Sequence, residues 1–214
     1  MPSRPQRVTG KAHEPSAGLT RFNTAPEGDA IAALHEVCAS SAWGSALLAG
    51  RPYATTEALL TAADAAVAGL TDAHLAEAMA GHPPIGRPRP GDPTSSREQS
   101  GMAGASDTLR AEMLELNLAY QEKFGHVFLI CATGLTGERM RDAVRSRIGN
   151  TPEREREIVR TELGRINRIR LARLVEVTEA ADDNGAIEVT KATGETAEKT
   201  GNTGISGTAD SRGD

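Results

Sequence analysis

The chain has 214 residues, a net charge of −5 and only six aromatic residues, none beyond Phe128. That length supports one domain with a real core, and so few aromatics leave the core to Leu, Ile, Val, Met and Ala, a composition suited to closely packed helices. No apolar run reaches membrane-spanning length and no charged start leads into an apolar stretch, so the expectation is a cytoplasmic protein with no membrane partner.

Residues 1–21 are polar and proline-containing and read as a disordered arm. "TAPE", Thr24 to Glu27, has capping-box spacing with proline early in the first turn. Ile31, Leu34 and Cys38 then share a face, and Trp43, Leu47 and Leu48 mark a second short helix. "TTEALLTAADAAVAGL" and "TDAHLAEAMAG" are capped by threonines, the second by Thr71. A proline-rich connection follows, "GHPPIGRPRPGDPTSSREQSGM". Ser106 or Asp107 caps the next helix, and Gly125 stops it. Leu109, Met113, Leu116, Tyr120 and Phe124 form one stripe, with Leu114 and Leu118 opposite, so this helix reads as central and buried. "HVFLICATG" is strand-like, yet no second strand is available to pair with it, so it reads as extended backbone or a helix start pressed into the core. "GERMRDAVRSRIG" is helical. A long helix capped by Thr151, with Pro152 at its first position, completes the set. The expected fold is an all-α single-domain bundle of about seven to nine helices over residues 22–179, with a disordered acidic tail over 180–214.

Charge is unevenly distributed. Residues 178–214 hold eight acids against Lys191, Lys199 and Arg212, whereas residues 138–173 hold eleven arginines against six acids. Nucleic-acid binders that stack bases interleave aromatics with such charge. Here the arginines alternate with glutamates, the pattern of a solvated helix face, and no nucleic-acid partner is expected. The terminal RGD tripeptide is most simply chance. Cys38 and Cys131 lie in apolar contexts without CxxC spacing and read as two buried free thiols. No spacing for a metal, dinucleotide or phosphate site is present, so no metal or cofactor is expected.

Three residues stand out chemically. His82 follows a helix end, and Pro83 holds it out of helical geometry. It is either a capping or surface histidine or a proton-transfer group. Glu98 sits in "SSREQSGM", either closing a capping box begun by Ser95 or Ser96, or holding a ligand. Arg170 is picked out by helical phase. With Val159 at zero and about 100° per residue, Leu163 falls near 40°, Ile166 near −20°, Leu174 near 60° and Arg170 near 20°, whereas Arg168 falls near 180°. An inward arginine needs an anion, either an internal partner such as Glu98 or Glu112, or a substrate carboxylate. A histidine, a carboxylate and an inward arginine without a cofactor suit proton transfer on a small anion.

"GHPPIG", "SSREQSGM", "LNLAYQEKFGHVFLICATG" and "INRIRLARL", in that order, resemble the motifs of the OHCU decarboxylase family, from about Phe22 to Val177. OHCU is 2-oxo-4-hydroxy-4-carboxy-5-ureidoimidazoline. The family removes its carboxylate to give (S)-allantoin in purine breakdown. The resemblance implies an all-helical, cofactor-free enzyme, commonly a homodimer. It implies that His82 and Glu98 are catalytic. It also implies that Pro83, Ser95, Ser96, Arg97, Glu98, Gln99, the run Leu129, Ile130, Cys131, Ala132 and Thr133, and Arg170 contact substrate. Pro84, Thr133 and the proline-rich stretch from Arg87 to Thr94 depart from the family pattern. The competing reading is a non-enzymatic helical module that binds a protein through its basic last helices.

Overall fold

Small polar side chains set most of the helix starts, because their oxygens accept the first unpaired backbone N–H groups. The computed structural model describes residues 15–176. The expectations for the rest of the arm and for the acidic tail lie outside them. The helices are α1 (Ala17–Thr24), α2 (Glu27–Val37), α3 (Ser41–Ala49), α4 (Thr56–Ala68), α5 (Asp72–Ala80), α6 (Pro93–Glu98), α7 (Asp107–Phe124), α8 (Gly137–Arg147) and α9 (Pro152–Glu176), with a 3-10 turn at Ser100–Met102. Among the described residues there is no strand, and the fold is the all-α bundle that the composition predicts. Thr55, Thr71, Ser106, Thr136 and Thr151 each accept a first-turn N–H, and Gly125 ends α7 in the left-handed region at φ 77°.

Three local expectations are corrected. The polar arm does not extend to Arg21, because α1 begins at Ala17 with Ser16 as its cap and buries Leu19 fully. Thr24 therefore ends a helix instead of starting one: its hydroxyl donates back to Thr20, and α2 starts after Pro26 with no side-chain cap. The helix α7 is not central. Met113 and Tyr120 are buried, but Leu118, on the other side, is 59% exposed because no described element covers it.

Two apolar clusters result. The larger gathers Leu19, Leu34, Trp43, Leu59, Leu75 and Leu163 from α1 to α5 and α9. The smaller joins Ile85, Met102, Met113, Tyr120, Phe128 and Met140 around α7 and α8. The extended segment 128–132 runs between them. Phe128, Ile130 and Ala132 pack into the smaller cluster, and Leu129 and Cys131 against the larger. That is strand alternation with both faces buried, which explains a β-like sequence without a partner strand.

Candidate functional site

The proline-rich connection carries the first functional side chain. The α5 helix ends at Gly81, and the His82 N–H closes onto the Met79 carbonyl at 3.0 Å. Beyond Pro83, side-chain amides hold the loop. Gln99 Nε2 donates to the Pro84 carbonyl at 3.2 Å while its Oε1 accepts the Gly86 N–H at 2.8 Å. Asn117 Nδ2, on α7, donates to the Ile85 carbonyl at 2.8 Å. Three successive loop residues are thus held by two buried amides.

The box "SSREQ" begins elsewhere than expected. The cap of α6 is Asp92, whose carboxylate accepts the Thr94 and Ser95 N–H groups at 2.8 and 3.2 Å, with Pro93 at the first helical position. Hydrogen bonds from these groups hold the Asp92 carboxyl below its ordinary range, against a burial effect that would raise it. Glu98 consequently closes the end of α6, not its start. Aspartate directly before proline is the signal that marks this start. Ser95 is buried and accepts the Arg89 N–H at 3.0 Å, Ser96 donates to the Asp92 carbonyl at 3.0 Å, and Arg97 is exposed. All three lie off the cavity that the other predicted residues line.

That cavity, about 20 Å³, is lined by His82, Pro83, Glu98, Gln99, Leu129, Ile130, Ala132 and Thr133, together with Ile85, Phe128, Ile166 and Ile169. Eight of the predicted site residues therefore converge from three separate stretches of chain. Cys131 turns away: its N–H donates to Glu162 Oε2 at 2.8 Å. Its thiol is part-buried and pushed up by burial and by Glu162, whereas Cys38 is fully buried. On the other side of His82 and Pro83 lies a polar cavity of about 210 Å³ whose lining includes Arg89, Arg170, His35, Glu36 and Asp92.

Arg170 points inward and Arg168 outward, as the helical phase predicts. Arg168 pairs at the surface with Asp64 at 2.6 Å and Glu57 at 3.2 Å. Arg170 meets Glu98 through two bonds of 2.7 Å, and both side chains are 12% exposed. Glu112 instead pairs with Arg145 and Arg141 on α8. The internal ion pair and the site arginine are thus one group. Each Glu98 oxygen takes one of the two Arg170 bonds and can accept another, and no hydrogen bond joins Glu98 to His82.

His82 is 9% exposed. Burial, and then the positive charges of Arg170 and Arg89, lower its pKa from 6.5 to about 3. The imidazole is therefore neutral at neutral pH. It becomes an effective proton carrier once an anion has entered beside it and offset the arginine charges.

A buried polar network backs the segment 128–132. Glu155, fully buried, accepts from the Tyr120 hydroxyl at 2.5 Å, from Arg147 Nε at 2.9 Å and from Asn150 at 2.8 Å. Burial alone would raise the Glu155 carboxyl, but these donors more than offset it and hold it low, while Tyr120 is pushed up by burial and by that carboxylate. Arg147 also donates to the Leu129 carbonyl at 2.9 Å and lies 4.5 Å over the Phe128 ring. The sequence reading missed Arg147, Glu155, Glu162 and Asn117. The phase test that singled out Arg170 finds them too: Arg147 follows Met140 and Val144, Glu155 and Glu162 flank Val159, and Asn117 falls between Met113 and Tyr120 on the buried face.

Residues 23–172 match the OHCU decarboxylase family. A crystal structure of OHCU decarboxylase in the presence of (S)-allantoin is 30% identical with a TM-score of 0.60, covering 66% of this chain and 95% of that one. An (S)-allantoin synthase structure shares the fold at 21% identity and TM-score 0.56, over 73% of this chain and 53% of that one. The uric acid degradation bifunctional protein TTL of Arabidopsis thaliana is 32% identical over 144 residues, 64% of this chain. The present chain spans 44% of that relative's length. The four ordered motifs, the helical fold and the match over most of the described residues make this chain a member of the OHCU decarboxylase family.

Proposed function

We propose that the chain catalyses cofactor-independent decarboxylation of OHCU to (S)-allantoin in urate breakdown. The observation that carries this reading is the neutral, buried His82 beside the Arg170–Glu98 pair, at a wall shared by a small mixed cavity and a larger polar one. The small cavity, where Phe128, Leu129 and Ile166 face His82, Glu98 and Gln99, suits a planar polar ring. The polar side holds two guanidiniums, suited to an anion. His82 and Pro83 line both cavities, so a substrate seated at the histidine can reach into both.

The bond between ring carbon and carboxylate breaks, CO2 leaves, and the electron pair stays on the ring, delocalised into the adjoining C=N/C=O system. The net reaction takes up one proton. In the free protein burial, and then the guanidiniums of Arg170 and Arg89, keep His82 neutral. A bound carboxylate offsets their field and raises the histidine's affinity for a proton. His82 then relays that proton to one face of the ring, which sets the product's handedness. Glu98, held by Arg170, orients the substrate hydroxyl or the imidazole. Pro83, Gln99 and the backbone of Leu129 to Thr133 position the ring. Ser95 supports the loop from outside by accepting the Arg89 N–H.

The protein acts in the cytoplasm as a homodimer, with neither nucleic acid nor membrane as partner. Supporting this, both cysteines are free thiols, and no helix among the described residues is long and apolar enough to cross a membrane. Exposed Leu118 stands beside a cavity of about 300 Å³ lined by Ile85, Leu114 and Leu118, a face suited to a second copy. The basic last helix offers little to a protein or nucleic-acid partner. Arg160 donates to the Val67 and Leu70 carbonyls, and Arg154, Arg165, Arg168 and Arg170 pair with carboxylates of this chain.

Freshly prepared OHCU, mixed with the protein and followed by circular dichroism, is expected to give (S)-allantoin faster than the spontaneous reaction and in enantiomeric excess. A rate that does not change with protein concentration overturns the reading.

A further inference from the structure

The segment 128–132 has the alternation of a strand but no strand beside it, and its backbone groups must still be satisfied. On one edge they are. Residues 129 and 131 of an extended chain direct their N–H and C=O groups to the same side. There the Leu129 carbonyl takes Arg147 Nη1 at 2.9 Å, and the Cys131 N–H gives to Glu162 Oε2 at 2.8 Å. Glu162 is 8% exposed and Arg147 is 8% exposed. Each is fixed in turn: Glu162 Oε1 accepts from Arg165 at 2.7 Å, and Arg147 is locked by Glu155 at 2.9 Å. Side chains from two helices thus take the place of a neighbouring strand. On the opposite edge lie the N–H and C=O of Ile130, which lines the small cavity and whose backbone has no hydrogen-bond partner among the described residues.

We infer that Glu162 and Arg147 are positioning residues: they pin the Leu129 carbonyl and the Cys131 N–H, and so turn the Ile130 N–H and C=O as a fixed donor–acceptor pair toward a ureide or lactam group in the cavity. This rests on the decarboxylase reading for the identity of the ligand, but not for the clamp itself. A donor and an acceptor side by side match an –NH–CO– group, which offers the complementary pair. A loose segment would let the ring tilt, and with it the face that receives the proton.

Glu162 gives the cleaner test, since it holds one N–H and its partner Arg165 reaches solvent. Glu162→Gln keeps an acceptor at the same reach, Glu162→Asp shortens the arm, and Glu162→Ala removes it. With OHCU as substrate, the Ala and Asp variants are expected to raise KM about tenfold with a smaller change in kcat, and to lower the enantiomeric excess of allantoin. Gln is expected to remain within about threefold of the parent. Amide hydrogen exchange on the ligand-free proteins should show the Cys131 N–H losing protection in Ala and Asp but not in Gln. If the Ala variant does not fold, the Asp variant decides. A folded Asp variant with parental KM, enantiomeric excess and Cys131 protection overturns the inference, as does a Gln variant that behaves like Ala. Loss of Cys131 protection in the Ala and Asp variants of a parent protein that never accelerates OHCU decay upholds the clamp and overturns the decarboxylase reading instead.

Discussion

Arg170 and Glu98 form a two-pronged contact across the bundle: Nε donates to Oε1 and Nη2 to Oε2, each at 2.7 Å, while Nη1 reaches the Val37 carbonyl at 3.1 Å. One guanidinium thereby ties α9 to the end of α6 and the end of α2, and fixes the carboxylate beside His82. Arg170→Ala is expected to cost about 3 kcal/mol of stability, because it leaves a largely buried carboxylate without its partner. It is also expected to lower kcat/KM strongly. Arg168→Ala, at the surface, is expected to cost only a few tenths of a kcal/mol. Urea unfolding and OHCU kinetics on both variants check this, and equal effects at the two positions would refute the phase assignment of α9.

His82→Ala is expected to lower kcat by about two to four orders of magnitude, the span of a general acid–base group. The fold should persist, since the loop is held at Pro84, Ile85 and Gly86 by other side chains. A folded variant with parental kcat assigns proton transfer elsewhere.

His82 also makes a pH prediction. Its pKa is about 3 in the folded chain and near its ordinary 6.5 in the unfolded chain. Between these values the unfolded chain binds the extra proton, so stability falls as pH drops from 6.5 toward 3. Above 6.5 both states are neutral, and below about 3 both are charged. The loss over this window is on the order of a few kcal/mol. His82→Gln should flatten the acid limb of a Tm-against-pH curve, and parallel curves for the two proteins would contradict the burial of a neutral imidazole.

The first helix is expected to matter for stability. Leu19→Ala should cost about 2–5 kcal/mol as a fully buried truncation. A chain begun at Leu19 loses the Ser16 cap and should melt below one begun at Pro15. Equal melting temperatures would show that the Ser16 cap contributes nothing to the bundle.

Tyr120→Phe removes a 2.5 Å hydrogen bond to a fully buried carboxylate, and is expected to cost about 1.5–3 kcal/mol. A neutral outcome in thermal unfolding would mean that Arg147 and Asn150 satisfy Glu155 alone.

Periodicity and caps carry most of the fold, because Thr55, Thr71, Ser106, Thr136 and Thr151 act through neighbours within three residues. Arg170 was legible because phase is a local property of one helix. Its partner was narrowed only to Glu98 or Glu112, since the contact joins residues 72 apart in sequence. Leu118 misled for the same reason: whether an apolar face is covered depends on what packs against it. Thr24 misled because the helix before it escaped notice. The charge state of His82 was out of reach, being set by burial and by Arg170 and Arg89 arriving from elsewhere. Arg147, Glu155 and Glu162 were within reach, as charged residues on apolar stripes.

Gln99 and Asn117 fasten the loop at residues 84, 85 and 86, and the Asp92 carboxylate fixes the start of α6. The five residues between, from Arg87 to Gly91, are all exposed. Stiffness at the histidine therefore comes from amides on neighbouring structure, and the prolines of this outer stretch are not what holds it. Residues gained or lost on either side of Arg89 would be absorbed there without shifting the imidazole, so the stretch can drift in length while Arg89 alone must keep its place on the polar cavity.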